Sequence, residues 1–310
     1  MSNFTIFADV TCDLTKNIRL EYNIEYFKGH MTLPNGNEVE TELEWNDFTK
    51  DAFYADLKKN PNGYSTSPAS PEEIKKAFRP FLESGNDILS LSISTALSGT
   101  YNFTLQAKKE LEEEFPGRKI YCIDSLRYST GFGLLAVKAS MLRSEGKSID
   151  EVRDFIEENK FCVHQMGFLD DLSFVAAKGR LTKSKAFMGK LIGIKPMGEF
   201  DYNGLTTVIG KAKGYNQSID AGVKYIKKFI VNPEDQIIFI GVTDRMKQAL
   251  EYKDRIEKEI KPKEVVIMDV FPADGINIGP GLMSAFFFGT KITTGLEAEK
   301  KILNDILNAK

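Results

Sequence analysis

Short apolar segments alternate with amphipathic patterns in the first half of the chain. Apolar residues at three- and four-residue spacing predict helices over residues 46–59, 71–83, 99–114 and 128–144. Between the helices lie FTIFADV (4–10), DILSLSIS (87–94) and KIYCID (119–124), apolar runs typical of strands buried on both faces of a parallel sheet. Strands that alternate with helices in this way indicate a doubly wound α/β domain of three layers.

Two helix starts are marked by capping boxes, in which a serine is followed three residues later by a glutamate. Ser70 precedes Glu73, with Pro71 at the favoured first helical position, and Ser148 precedes Glu151. We therefore expect helices to begin immediately after Ser70 and Ser148.

The pattern changes near residue 160. Residues 194–213 predict two strands joined around Tyr202-Asn203-Gly204, a hairpin that a purely parallel sheet would not contain. Further strands are predicted at 236–243 and 264–271, and helices at 216–229, 245–260 and 295–308. We expect an N-terminal domain over residues 1–158 and a C-terminal domain over residues 159–310, the latter a mixed sheet with helices on one side.

Composition narrows the class of protein. The 310 residues are 42% hydrophobic and 27% charged, with a formal net charge of −3, which gives no general attraction for nucleic acid. The start lacks a secretory signal pattern and no apolar run is long enough to span a membrane, so we expect a cytoplasmic protein without integral membrane association. Cys12, Cys122 and Cys162 are widely spaced, which predicts reduced, mostly buried thiols rather than a disulfide framework or zinc site.

Small hydroxyl residues cluster at two predicted helix starts. Ser98-Gly99-Thr100 follows a buried strand, and Thr66, Ser67 and Ser70 precede the helix at residue 71. A helix N-terminus offers unpaired N–H groups and partial positive charge, so these hydroxyls could bind a carboxylate or phosphate at the carboxyl edge of the sheet. The alternative is that Ser98 and Ser70 only cap their own helices.

Other segments offer weaker chemistry. The turn Asn277-Ile-Gly-Pro-Gly281 could bring the Asn277 amide close to a ligand, or it is an ordinary tight turn. Ser98 as a hydrolase nucleophile lacks a nearby histidine in the sequence, because the chain has only His30 and His164. A loose dinucleotide fingerprint at 131–136, a P-loop-like segment at 204–211 and an acid pair at 170–171 each depart from the pattern that their chemistry needs.

Several of these segments together resemble the DegV family of fatty-acid-binding proteins over nearly the whole chain. The matching segments are Ala8-Asp9-Val-Thr-Cys-Asp13-Leu, Thr66-Ser-Pro-Ala-Ser-Pro71, Ile93-Ser-Thr-Ala-Leu-Ser98-Gly-Thr-Tyr101, Ile123-Asp-Ser125, Asp171-Leu, Lys178-Gly-Arg180, Ile194-Lys-Pro196 and Gly279-Pro-Gly281. The resemblance implies a DegV-like two-domain fold, with a parallel-sheet domain, a mixed-sheet domain of two layers, and one acyl chain buried at their junction. It implies no cofactor and no metal.

The resemblance also implies roles for individual residues. Thr66 and Ser98 would bind the fatty-acid carboxylate, with Asn277 beside it where the family usually has histidine. Further head-group or partner contacts would come from Lys213, which stands where arginine is common, and from Arg180, Gly99 and Gly279. The implied partner is an ATP-binding subunit similar to dihydroxyacetone kinase, which would phosphorylate the bound fatty acid to an acyl phosphate. The chain could also make transient contact with a membrane surface.

A tunnel for such a ligand must be long and apolar. Burying ~16 carbons at about 0.8 kcal/mol per methylene gives a gross gain of roughly 10 kcal/mol or more. The expected lining is Phe286-Phe287-Phe288, Phe187-Met188 and a helix from Phe168 to Val175, each of which could instead be ordinary core. The sequence thus predicts a non-enzymatic fatty-acid carrier, with a Ser98-dependent esterase or acyl-transfer enzyme and a lipid-sensing regulator as alternatives.

Overall fold

The computed structural model describes residues 4–46, 48–181 and 193–309. Its strands are β1 Phe4–Asp9, β2 Ile24–Phe27, β3 His30–Thr32, β4 Glu38–Glu40, β5 Ser65–Ser67, β6 Asp87–Ser92, β7 Ile120–Asp124, β8 Val163–Leu169, β9 Ile194–Phe200, β10 Thr206–Lys213, β11 Ile237–Val242, β12 Glu264–Asp269 and β13 Leu282–Phe288. Its helices are α1 Lys16–Glu21, α2 Lys50–Lys59, α3 Pro71–Glu83, α4 Thr100–Glu114, α5 Thr130–Ser144, α6 Ile149–Asn159, α7 Ser173–Ala177, α8 Gly214–Phe229, α9 Met246–Glu259, α10 Pro272–Ile278 and α11 Glu297–Asn308.

The N-terminal part contains a parallel sheet in the order β2-β1-β6-β7. Helices α3 and α4 pack on one face, where Phe7, Phe78 and Leu111 belong to one buried cluster. Helix α5 covers the other face and contacts β1, β2 and β6. The predicted doubly wound arrangement is therefore confirmed.

The C-terminal part contains a mixed sheet in the order β10-β9-β8-β13-β11-β12. The pair β9 and β10 forms the predicted antiparallel hairpin, whereas β11 and β12 are parallel. Helices α8, α9 and α11 pack together against the sheet. The mixed sheet is confirmed, and the boundary at residues 158–160 stays a prediction.

Helix α5 joins the two sheets, because it contacts β8, β11 and β13 as well as the N-terminal strands. Its glycines allow this close packing. A Cβ on Gly131 would lie 2.8 Å from the Phe200 ring, and one on Gly133 would lie 2.5 Å from the Cys12 carbonyl oxygen. The glycine pair that resembled a dinucleotide fingerprint is thus explained by helix-to-sheet packing.

The predicted helix starts at Ser70 and Ser148 are confirmed. Each serine hydroxyl accepts from the backbone N–H of the glutamate at the third helical position, and that carboxylate accepts from the serine backbone N–H at 2.8 Å. The helix predicted over 46–59 begins later, at Lys50, after the Thr49 side chain caps it.

Among the differences from the sequence prediction, three concern residues proposed for the site. A small antiparallel sheet in the order β4-β3-β5 was not predicted, and it makes Thr66 a strand residue paired with Met31. Helix α10 was not predicted, and it places Asn277 on a helix rather than in a turn. The predicted helix from Phe168 to Val175 was wrong, because β8 continues to Leu169 and α7 begins only at Ser173.

The three cysteines form no disulfide. Cys12, Cys122 and Cys162 are free, and Cys12 is fully buried. None of the helices in the described ranges combines the length and the apolar character that crossing a membrane requires.

Candidate functional site

A cavity of about 220 Å³ lies where the N-terminal parallel sheet meets the C-terminal mixed sheet. The loops after β1 and β6 form part of its wall, together with β5, β8, β10 and α10. Much of the wall is apolar. The apolar residues in the wall include Val10, Phe27, Ile93, Leu97, Phe168, Leu169, Leu172, Val175, Leu181, Val208, Ile278 and Leu282.

Thr66 and Asn277 are in direct contact in the cavity wall. The Asn277 side-chain amide donates to Thr66 Oγ1 at 3.0 Å and to the Ala273 carbonyl at 3.1 Å. Thr66 Oγ1 accepts this bond, so its own hydrogen is not used in it. No described residue accepts that hydrogen. The Thr66 hydroxyl is therefore available as a donor in the wall of the cavity.

Ser98 and Thr100 present a second hydroxyl donor. Their hydroxyl oxygens lie 2.9 Å apart, and the Thr100 N–H donates to Ser98 Oγ at 3.3 Å. One hydroxyl hydrogen joins the pair, so the other remains free for a ligand. Both residues line the cavity at the N-terminus of α4, where Gly99 is the N-cap residue and provides no side-chain cap.

Arg180 brings a positive charge to the same cavity. Its Nε donates to the Leu97 carbonyl oxygen at 3.4 Å and its Nη1 donates to that of Lys178. No carboxylate of the described residues forms an ion pair with this guanidinium. Nearby, Lys178 Nζ donates to the Tyr64 carbonyl at 3.0 Å, and burial lowers the pKa of Lys178. The guanidinium can therefore attract an anion without first losing a partner.

The other predicted contact residues are placed differently. Gly99 lines the cavity, with open space where a side chain would begin. Gly279 is not in the cavity wall and follows α10 with φ of +81°, where a Cβ would collide with the Phe174 ring. Lys213 is exposed at the end of β10, away from the cavity wall. The roles of all these residues stay predictions.

The predicted apolar lining is only partly in the wall. Phe168, Leu172 and Val175 line the cavity, although not as one helix. Phe286 and Phe287 are instead fully buried in the cores on opposite faces of β13, because neighbouring strand residues point to opposite faces. Phe187 and Met188 lie outside the described residues.

Sequence reasoning missed a buried acidic cluster at the cavity. Asp9 and Asp274 line the cavity, and Asp13 lies behind them. Asp9 accepts from the Thr11 N–H at 2.9 Å and the Ile93 N–H at 2.7 Å, and burial raises its pKa. Burial also raises the pKa of Asp13 to about 8 and that of Asp274 well above its usual range. The sequence did offer one signal for this cluster, because Asp274 is an acidic residue within the otherwise largely apolar segment of α10.

The geometry gives no support to the catalytic and metal interpretations. The Ser98 hydroxyl forms a hydrogen bond with the Thr100 hydroxyl and not with a histidine. His30 Nε2 instead lies 2.9 Å from the Glu73 carboxylate. His164 lies between Glu199 and the Thr290 carbonyl, at 2.7 and 2.6 Å. Within the described ranges no group of three His, Cys, Asp or Glu side chains is arranged to hold a metal ion.

Comparison with known proteins identifies the family. A family model described as "Uncharacterised protein, DegV family" matches residues 3–290. The chain belongs to the DegV family. A DegV domain-containing protein of Clostridium perfringens is 32% identical over 292 residues, which cover 93% of this chain and 98% of the relative.

Solved structures of DegV proteins share this fold. A DegV family protein from Thermus thermophilus, described as fatty acid binding, superposes with a TM-score of 0.81 at 22% identity and covers 93% of this chain and 99% of its own. The Fatty Acid Kinase (Fak) B3 protein of Streptococcus pneumoniae, loaded with linoleic acid, gives a TM-score of 0.77 at 20% identity, with coverage of 93% and 99%. The DegV resemblance stated from the sequence motifs is confirmed.

Proposed function

We propose that this DegV protein binds a long-chain fatty acid in the cavity, with its carboxylate held by Thr66 and Ser98 and with Asn277 beside it. The observation that carries the proposal is a pair of hydroxyl hydrogens in the wall that no described residue accepts, one on Thr66 and one on either Ser98 or Thr100. A carboxylate is an acceptor with two oxygens, so it can take both donors. The Arg180 guanidinium, which forms no ion pair with a described residue, adds charge complementarity.

The apolar part of the wall suits an acyl chain. Phe168, Leu172, Val175 and Leu282 come from both sides of the junction and offer no hydrogen bonds to a ligand tail. Each buried methylene contributes about 0.8 kcal/mol. The fatty acids in the names of the solved DegV relatives support the same ligand class.

We further propose that the chain is a carrier that presents its ligand to a separate kinase subunit in the cytoplasm. In that reaction a carboxylate oxygen of the fatty acid would attack the γ-phosphorus of ATP, forming an acyl phosphate and releasing ADP. The partner would be similar to dihydroxyacetone kinase and would supply the ATP site. The words Fatty Acid Kinase in the name of the Streptococcus relative support this role. An esterase is not favoured, because the Ser98 hydroxyl is hydrogen-bonded to Thr100 and not to a histidine base.

The binding proposal is tested with delipidated protein and oleate, measured by isothermal titration calorimetry at pH 7. Thr66→Ala with Ser98→Ala should raise Kd by roughly 10- to 100-fold, because each lost charged hydrogen bond is worth about 1.5–3 kcal/mol with partial replacement by water. Thr15→Ala with Ser144→Ala is the matched control, since neither hydroxyl lies in the cavity wall. No oleate binding by the unaltered protein would refute the proposal.

The carrier role needs a second assay. Oleate-loaded protein is mixed with a DegV-partner kinase subunit and ATP labelled at the γ-phosphate, and the labelled acyl phosphate is separated from ATP and inorganic phosphate by thin-layer chromatography. We expect label transfer only when both proteins and oleate are present. Hydrolysis of a fatty-acyl ester by this chain alone, lost in Ser98→Ala, would instead support the esterase.

A further inference from the structure

Three buried carboxyl groups share one region beside the cavity. Asp9 is 2%, Asp13 0% and Asp274 5% exposed, and Asp9 and Asp274 both belong to the cavity wall. Asp13 accepts from the Ser129 hydroxyl at 2.5 Å and from the Phe271 N–H at 2.8 Å. Asp9 is fully supplied with donors by Thr11 and Ile93. None of the three carboxyls forms an ion pair with a described residue.

Asp274 differs from the other two carboxyls. Its carboxyl lies beside that of Asp13 and accepts from the Ser129 backbone N–H, yet its Oδ2 is buried without a donor from the described residues. Two carboxylates in contact repel each other, and an unsatisfied buried oxygen costs free energy. A proton held between the two carboxyls removes both problems.

Among the described residues, no cation lies close enough to Asp274 to neutralise the carboxyl pair in place of a proton. Helix α10 packs against α7, β3, β5 and the turn after β1, and α2 reaches it through Tyr54. Tyr54 donates its hydroxyl to the Val270 carbonyl, so it is not a donor to the carboxyl pair. The charged and titratable groups that line the cavity or flank these contacts include Asp9, Cys12, Asp13, Lys28, His30, Tyr54, Tyr128, Lys178, Arg180 and Asp269, the last being paired with Lys50.

We propose that the Asp13–Asp274 carboxyl pair makes ligand capture proton-coupled: an anionic ligand binds while the pair holds its proton and is released when the pair loses it. This inference rests on the proposed function, because the ligand is taken to carry a carboxylate. Asp274 is one helical turn from Asn277, which contacts Thr66. Ionisation of the pair would therefore add a negative charge to the wall that holds the ligand anion, with little water to screen it.

The sign of the effect follows from linkage. A group that is protonated in the complex and loses its proton in the free protein makes binding weaker as pH rises. For one proton, Kd rises at most about tenfold per pH unit. Monomeric fatty acid is already ionised at pH 7, since an isolated carboxyl has a pKa of about 4, so oleate kept below its aggregation concentration contributes no slope between pH 7 and pH 9.

The test uses delipidated protein and oleate between pH 7 and pH 9, in two buffers of different ionisation enthalpy. We expect Kd to rise by roughly tenfold across this range, with uptake of about half a proton per oleate at pH 8. Asp274→Asn keeps the size of the side chain but cannot lose a proton there. It should bind at pH 7 within about threefold of the unaltered protein, with less than about threefold change up to pH 9 and no proton uptake.

Asp254→Asn is the matched control, because it removes one exposed carboxylate of α9 far from the cavity wall and should keep the full slope. Oleate binding without proton uptake, or an unchanged slope in Asp274→Asn, would overturn the inference while the proposed function stands. Absence of oleate binding at every pH would instead refute the proposed function and the inference together. His30→Gln separates any contribution from His30, a further residue of the cavity wall, which faces Glu73.

Discussion

Asp274 illustrates at the scale of one residue how a buried acid affects stability. Its carboxyl and that of Asp13 lie together without a counter-charge from the described residues, and burial raises both pKa values, that of Asp13 to about 8. In the unfolded chain an aspartate ionises near its ordinary value of about 4. Stability from the protonated pair is therefore fully present below about pH 4 and is lost as pH rises towards 8.

We therefore predict that Asp274→Asn stabilises the protein at alkaline pH. The amide is neutral and can donate to Asp13, so the variant should exceed the unaltered protein by roughly 1–3 kcal/mol at pH 8 and by much less at pH 5. Urea denaturation followed by circular dichroism at both pH values measures this difference. Asp254→Asn should change stability by less than about 0.5 kcal/mol. A variant equally destabilised at both pH values would contradict the shared proton.

At the scale of single elements, local chemistry determined what the sequence could predict. The starts of α3 and α6 were predictable because a capping box is complete within four residues. The sheet of β3, β4 and β5 was not, because three-residue strands are too short to show a period. Thr66 and Ser98 were identified from helix-start chemistry, whereas the Asp13–Asp274 contact joins distant segments that no local pattern connects.

The capping box of α3 gives a prediction for that element. Ser70→Ala removes the acceptor for the Glu73 N–H and should destabilise the protein by about 1 kcal/mol. Urea denaturation monitored by circular dichroism measures the loss. Ser144→Ala is the control, since among the described residues Ser144 Oγ donates only to the Ser140 carbonyl at the end of α5, and its loss should cost far less. Equal losses of unfolding free energy in the two variants would show that the capping box does not stabilise the start of α3.

At the scale of the whole molecule, Arg127 connects the two sheets. It follows β7, is fully buried, and donates from Nε to the Val163 carbonyl of β8 at 3.0 Å and from Nη1 to the Leu126 carbonyl at 2.8 Å. Its guanidinium lies 4.7 Å from the centre of the Phe200 ring of β9. Burial lowers the pKa of Arg127 to about 10, which leaves it charged at neutral pH. Its sequence position predicts none of these contacts, since they depend on how the two parts pack.

Trp45 offers a reporter for the same junction. It is the single tryptophan of the chain, and its indole donates to Asp269 at 2.8 Å and packs 5.3 Å from Phe271, both in the C-terminal part. Fluorescence of Trp45 therefore follows the contact between the parts, while circular dichroism follows the helices of both. In the unaltered protein the two signals should change together on unfolding, because helix α5 packs against both sheets.

We predict that Arg127→Met separates these two signals. The variant leaves the Val163 carbonyl without its donor and loses the contact with Phe200, at a cost of roughly 2–4 kcal/mol, and Trp45 fluorescence should shift at lower urea than circular dichroism. Arg143→Met is the matched control, because Arg143 also donates to backbone carbonyls, those of Phe4, Tyr22 and Asn23, but entirely within the N-terminal part. It should lose stability with coincident transitions. Coincident transitions in Arg127→Met as well would mean that helix α5, rather than Arg127, holds the junction together.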